Sequence, residues 1–165
     1  MRVLGCDCST KLIGCSMITD KDIITATIYG GNKNDTNVRA EVMYQAIKEI
    51  LDAWEPEAVY IEQAVYLQNV KVTLTIDAVV NGVRYACIDK NIPYFIIDNK
   101  SWKKDVLGNG NSSKEDIAKF SKTKWGDKFN KFSKTKWGDK FKTQDEMDAC
   151  CLAYFGYRRL NKGEK

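Results

Sequence analysis

The chain has 165 residues, 44% hydrophobic and 29% charged, proportions that fit a globular core and exclude a disordered or fibrous chain. No apolar run approaches the ~18–20 residues that cross a bilayer, and the apolar part of MRVLGCDCST is too short for a secretion signal, so a cytoplasmic protein with no membrane segment is expected. The net charge is only +4, but thirteen lysines stand against five acids between Lys100 and Lys142; that stretch carries +8 and the remainder −4, which suits either a polyanion-facing lobe or a solvated lysine-rich surface.

Arg2–Ser9, Leu12–Thr19 and Ile23–Tyr29 read as three short strands joined by turns, an antiparallel meander. Cys6 and Cys8 fall two apart in the first strand, so both point to one face, the core, and Asp7 points the other way. Six cysteines without a histidine or a CxxC pair indicate reduced, buried thiols, not a zinc site. GGNKND is a loop, with Asp35, Thr36 or Asn37 available to cap the next helix. Val42, Met43, Ala46, Ile47, Ile50, Leu51 and Trp54 recur at three-and-four spacing and predict an amphipathic helix over 38–54, stopped by Pro56.

Ala58–Ile61 is a short apolar strand running directly into Glu62. The helix predicted over 69–90 has a stripe of Val72, Ile76, Val79, Val83 and Cys87, widened by Leu74, Ala78 and Tyr85. An apolar arc that wide is buried on more than one side, one face on the sheet and the other against a second subunit. Pro93–Ile97 is a fifth strand, and DNKSWKKDVLGNGNSS reads as a polar Gly-Asn loop. Ser112 or Ser113 caps a helix starting near Lys114, with Glu115 and Asp116 in its first turn. Thr143 and Glu146 form a capping box that opens a last helix through about Arg159. The order βββ-α-β-α-β-α-α predicts one mixed five-stranded α/β sheet with helices on both faces, the layout of the ribonuclease-H-like fold.

Four carboxylates stand out by position. Asp7 and Glu62 end strands, and Asp145 and Asp148 are three apart on one face of the last helix. Each alone also suits a solvated strand end or a favourable first-turn charge. Together, hard oxygen ligands without His or Cys suit Mg²⁺ or Mn²⁺, and two such ions ~3.5–4 Å apart can drive phosphodiester hydrolysis.

The same residues carry a resemblance. VLGCDCSTKLIGCSMI, VYIEQAVYLQN, KKDVLGNGNSSKEDI and QDEMDACCLAYF resemble, in order, the acidic and basic motifs of the RuvC-type Holliday-junction resolvases. The resemblance implies Asp7, Glu62, Asp145 and Asp148 as catalytic, metal-binding acids, with Gly14 closing the turn after the first strand. It implies Lys103 and Lys114 as DNA-contacting lysines, with Lys104 beside them, and Asn69 in the segment leading to the long helix. It also implies a homodimer formed partly through the 69–90 helix, and symmetric nicking of four-way DNA junctions with Mg²⁺ (Mn²⁺ substituting), two ions per subunit. Two departures stand out: the family's D-P-G-S turn is D-C-S-T, putting Ser9 in place of a glycine, and its stacking aromatic is Val65, with Tyr66 adjacent as a DNA contact. The lysine content and compact length look like phage-encoded members, for which dependence on cellular branch-migration partners is doubtful.

KFSKTKWGDKFNKFSKTKWGDKFK is a tandem duplication, residues 119–129 and 131–141 being identical. One copy is expected to continue the helix from Lys114 and end it near Trp125-Gly126-Asp127. Twelve surplus residues at 100° each would rotate a continuous helix by about 120°, so the second copy is expected to loop out, with Gly126 and Gly138 as break points. Two other functions compete. The G-x-D-x-S-T turn also resembles that of actin-like ATPases, which need two such domains and more length than this chain has. A non-catalytic junction- or single-strand-binding protein on the same fold would use the basic lobe and dimer helix equally well, but has no need of four acids.

Overall fold

A computed structural model describes residues 1–31, 35–65, 68–125 and 144–164. Strands β1 (Arg2–Cys8), β2 (Leu12–Thr19) and β3 (Ile23–Tyr29) form the expected meander; β4 (Ala58–Glu62) and β5 (Tyr94–Ile97) add in parallel on the other side of β1. The sheet order is β3-β2-β1-β4-β5, which puts β1 at the centre and the ends of β1 and β4 side by side. Helices α1 (Thr36–Trp54) and α2 (Val70–Asp89) cover one face, where Leu4, Cys6, Cys8, Met43, Ile47, Leu51, Val79 and Val83 pack together. Helices α3 (Asn99–Leu107), α4 (Lys114–Trp125) and α5 (Gln144–Asn161) cover the other, around Val3, Tyr60, Trp102, Ile117, Leu152 and Phe155. All six cysteines are free and buried.

Helix α3 corrects the sequence reading, which placed a loop there. Asp98 caps its start by accepting from the Ser101 N–H, and Gly108 ends it at φ 81° with its N–H on the Lys104 carbonyl. Trp102 and Val106, one turn apart, are both buried, so tertiary packing secures a short helix whose other positions, Leu107 apart, are polar. Helix α4 starts where expected. The Ser113 hydroxyl accepts from the Asp116 N–H while the Asp116 carboxylate accepts from the Ser113 N–H, a reciprocal cap. It is described as far as Trp125, and its expected end near Trp125-Gly126-Asp127 falls at the edge of the described residues. The second copy, Gly126, Gly138, the Thr143 cap and Tyr66 lie outside the described residues.

Helix α5 lies directly on the sheet because two glycines let it. A Cβ at Gly5 would stand 2.7 Å from the Ala153 nitrogen and nearer still to the Ala149 carbonyl. One at Gly14 would stand 2.8 Å from the Asp145 Cβ and overlap the Asp145 backbone more deeply. Gly14 therefore does not close the turn; it sits in β2, paired with Asp7, and brings the start of α5 against it. The turn itself is held by Ser9, whose hydroxyl donates to the Leu12 carbonyl and accepts from the Leu12 N–H, so no glycine is needed. The first turn of α5 is fastened to the sheet twice more, by Ser16 donating to the Glu146 carbonyl at 2.7 Å and Thr27 donating to the Glu146 carboxylate at 2.5 Å.

Candidate active site

The β1 pleat sends Leu4, Cys6 and Cys8 into the core beneath α1 and α2 and turns Asp7 to the opposite face, toward α5. There it meets Asp145 and Asp148 from the start of α5 and Glu62 from the end of β4. Asp145 stands close enough to Asp7 for a side-chain contact that helps to raise the Asp7 carboxyl. Burial, then the charges of Glu62, Asp148 and Asp145, hold the Asp7 carboxyl well above the usual carboxylate range. Asp148 is pushed up to about 6, chiefly by burial and further by Glu62 and Asp145, against the opposing effects of Gln144 and Lys103. The four acids from three elements thus form one electrostatic unit.

Two of the acids also have a local tether. Asp148 Oδ1 accepts from the Gln144 amide nitrogen Nε2 at 2.8 Å. Glu62 Oε1 accepts from Asn99 Nδ2 at 2.6 Å, and Glu62 Oε2 accepts from the Trp102 indole N–H at 2.8 Å. Burial raises the Glu62 carboxyl, and these two donors and the charge of Lys103 pull it back. Asn99 and Trp102 were missed by sequence reasoning. Their only local signal is the Asp98 cap and Gly108 stop of a helix that brings them to a residue about forty positions earlier.

The lysines separate by place. Lys103 is half-buried, its Nζ 5.5 Å from the Trp102 ring centroid, and its charge acts on both Glu62 and Asp148. Lys104, in the last turn of α3, and Lys114, at the start of α4, are exposed, on helices of the same layer. Asn69 caps α2, its Oδ1 accepting from the Val72 N–H at 3.3 Å, so its side chain already has a structural use.

Four hard carboxylates around a buried, electron-rich spot fit a divalent cation by donor chemistry, since the cation would relieve the repulsion that raises the Asp7 carboxyl. Among the described residues no three acid, thiol or imidazole groups already form a cation cage. Glu62 and Asp148 are instead turned onto neutral amide and indole donors.

A ribonuclease-H-like sheet with four acids meeting at the ends of its central strands defines a metal-dependent nuclease class. The family model for crossover junction endodeoxyribonuclease RuvC matches residues 3–124, and the chain belongs to that family. The match includes Asp7, Glu62 and the three lysines and stops before α5. Among relatives, the RuvC of Salinibacter ruber is 28% identical over 72% of this chain and 69% of its own length. That of Thermomicrobium roseum is 25% identical over 100% of this chain and 99% of its own. The structure of Thermus thermophilus RuvC superposes with a TM-score of 0.76 at 16% identity, covering 99% of this chain and 97% of that one. The same protein in complex with a Holliday junction substrate gives 0.77, covering 98% and 96%. These likenesses establish the mixed five-stranded fold with helices on both faces.

Proposed function

We propose that this chain resolves four-way DNA junctions, with other branched DNA as further substrates, by paired metal-dependent nicks. Asp7, Glu62, Asp145 and Asp148 are the acids that hold Mg²⁺, or Mn²⁺ in its place, as two ions per subunit. Such ions, when bound, supply the Lewis acidity that phosphodiester hydrolysis needs. The observation that carries the assignment is that Asp7, Glu62, Asp145 and Asp148, from three elements, converge closely enough for burial and the other three charges to raise the Asp7 carboxyl well above the usual range. A junction-binding protein without catalysis has no use for such a costly arrangement.

Around the acids, the chain's own residues divide the work of holding DNA. Lys103 stands beside the cluster, where a scissile phosphate would lie. Lys104 and Lys114 offer exposed point charges along the α3–α4 layer for flanking phosphates. Asn69, at the start of α2, is assigned to the junction-facing rim, and Tyr66 is a further DNA contact by its position in the sequence.

The partner is a second copy of the chain. On α2 the residues Val70, Leu74, Tyr85 and Ile88 are exposed apolar side chains, and Leu74 and Tyr85 are 64% and 54% exposed. That surface gives a twofold dimer the means to place one cluster on each of two opposed strands. Such an enzyme works in the cytoplasm of a bacterium or phage-infected host. The test is a synthetic four-way junction incubated with Mg²⁺ and resolved on a sequencing gel. Two symmetric nicks with ligatable ends are expected, abolished by chelation. Binding without any cut at any Mg²⁺ or Mn²⁺ concentration would refute the enzyme reading.

A further inference from the structure

Glu62 is gripped on both oxygens by one turn of α3. Asn99 Nδ2 and the Trp102 indole N–H approach Oε1 and Oε2 at 2.6 and 2.8 Å. Both donors are neutral. Trp102 is 0% exposed within the cluster that includes Val3, Ile117 and Phe155, so its ring is immobilised by packing. An indole nitrogen has a proton and no lone pair to offer, so it serves a carboxylate oxygen only as a donor.

The choice of neutral donors has a chemical consequence. A lysine or arginine bridged to Glu62 would compete with an incoming cation for its charge. An amide and an indole instead fix the plane of the carboxylate and leave each oxygen a further lone pair and the group its negative charge. The Asp98 cap and the Gly108 stop hold the short helix that carries both donors. Resting on the reading of Glu62 as a cation ligand, we infer that Asn99 and Trp102 are positioning residues that set the Glu62 carboxylate for a divalent cation. The packed ring of Trp102 also carries Lys103 beside the same carboxylate.

Trp102→Phe keeps a ring in the core and beneath Lys103 and removes the N–H. Asn99→Ala removes the other donor at a half-buried position and serves as an independent test if Trp102→Phe fails to fold. Mn²⁺ affinity of the full-length, DNA-free protein, read by titration calorimetry, is expected to fall roughly ten- to a hundredfold in each variant. Junction cleavage should fall similarly at limiting Mg²⁺ and recover at saturating Mg²⁺, with metal-free junction binding unchanged. Wild-type Mn²⁺ affinity in both variants overturns the inference, as does a loss of cleavage that saturating Mg²⁺ fails to restore. Glu62→Gln separates the two levels: if that variant still cuts, the ligand reading itself fails, whereas an inert Glu62→Gln beside unaffected Trp102→Phe and Asn99→Ala removes only the positioning role.

Discussion

Gly14→Ala adds one methyl group at the point where α5 meets the sheet. The new carbon would lie 2.8 Å from the Asp145 Cβ and closer to the Asp145 carbonyl. Ordinary carbon contacts begin near ~3.5 Å, so the start of α5 must retreat by about 1 Å. The obstruction is backbone, which cannot swing aside like the tip of a side chain. Overpacking of this kind costs about 1–3 kcal/mol, which lowers the melting temperature by about 3–9 °C in a chain of this size. The retreat also carries Asp145 away from Asp7, and a displacement of about 1 Å at a reacting centre costs on the order of a hundredfold in rate. The assay pairs a circular-dichroism melt with single-turnover cleavage of a four-way junction well below the new melting temperature. Metal-free junction binding should be unchanged. As a control, Gly82→Ala has its nearest neighbour, the Tyr44 Cβ, at 3.8 Å and should be neutral or stabilise α2 by up to about 1 kcal/mol. A Gly14→Ala protein that melts and cuts like wild type would refute the claim that this glycine seats the catalytic helix.

The raised Asp148 carboxyl makes metal-free stability depend on pH. Between 3.8 and about 6 the folded state holds more protons than the unfolded chain, so this group's contribution to stability falls as pH rises through that window and is lowest above it. The rise is worth about 3 kcal/mol, so Asp148→Asn should recover part of that near pH ~7.5 and little near pH ~4, as urea melts with chelator would measure, while abolishing cleavage. A variant no more stable than wild type at the higher pH would show that the acid is not strained. Lys104→Ala and Lys114→Ala should each weaken junction binding across sequences and reduce the slope of log affinity against log salt by about 0.9. An unchanged slope would place those lysines off the DNA. Leu74→Glu puts a charge on the exposed apolar surface of α2, and sedimentation should then report a monomer in place of a dimer. A persistent dimer would move the interface elsewhere.

Most of the architecture was readable because the chain obeys period rules where it is amphipathic. The Cys6–Asp7–Cys8 alternation divided core from site face, and the wide apolar arc of 69–90 corresponds to a helix with Val79 and Val83 buried and Leu74 and Tyr85 outside. Where the reading failed, the deciding force was tertiary. SWKKDVL looks like a loop between polar neighbours; only the burial of Trp102 and Val106 against α5 and the sheet makes it a helix. Gly14 resembles a turn glycine until the helix that needs its missing side chain is placed above it. The four acids were legible as strand-end and helix-face positions. Their tethers were not, since no local pattern ties Asn99 and Trp102 to Glu62.

Whether the buried acid cluster cuts DNA is decided by single-turnover cleavage of a four-way junction in Mg²⁺, comparing wild type with Asp7→Asn at protein concentrations that saturate binding of both. The asparagine keeps the shape of the side chain and removes the charge at the centre of the cluster. Wild type should give paired nicks and Asp7→Asn a fully bound, uncut junction. Cleavage by Asp7→Asn at a rate near that of wild type would place the cutting chemistry outside this cluster.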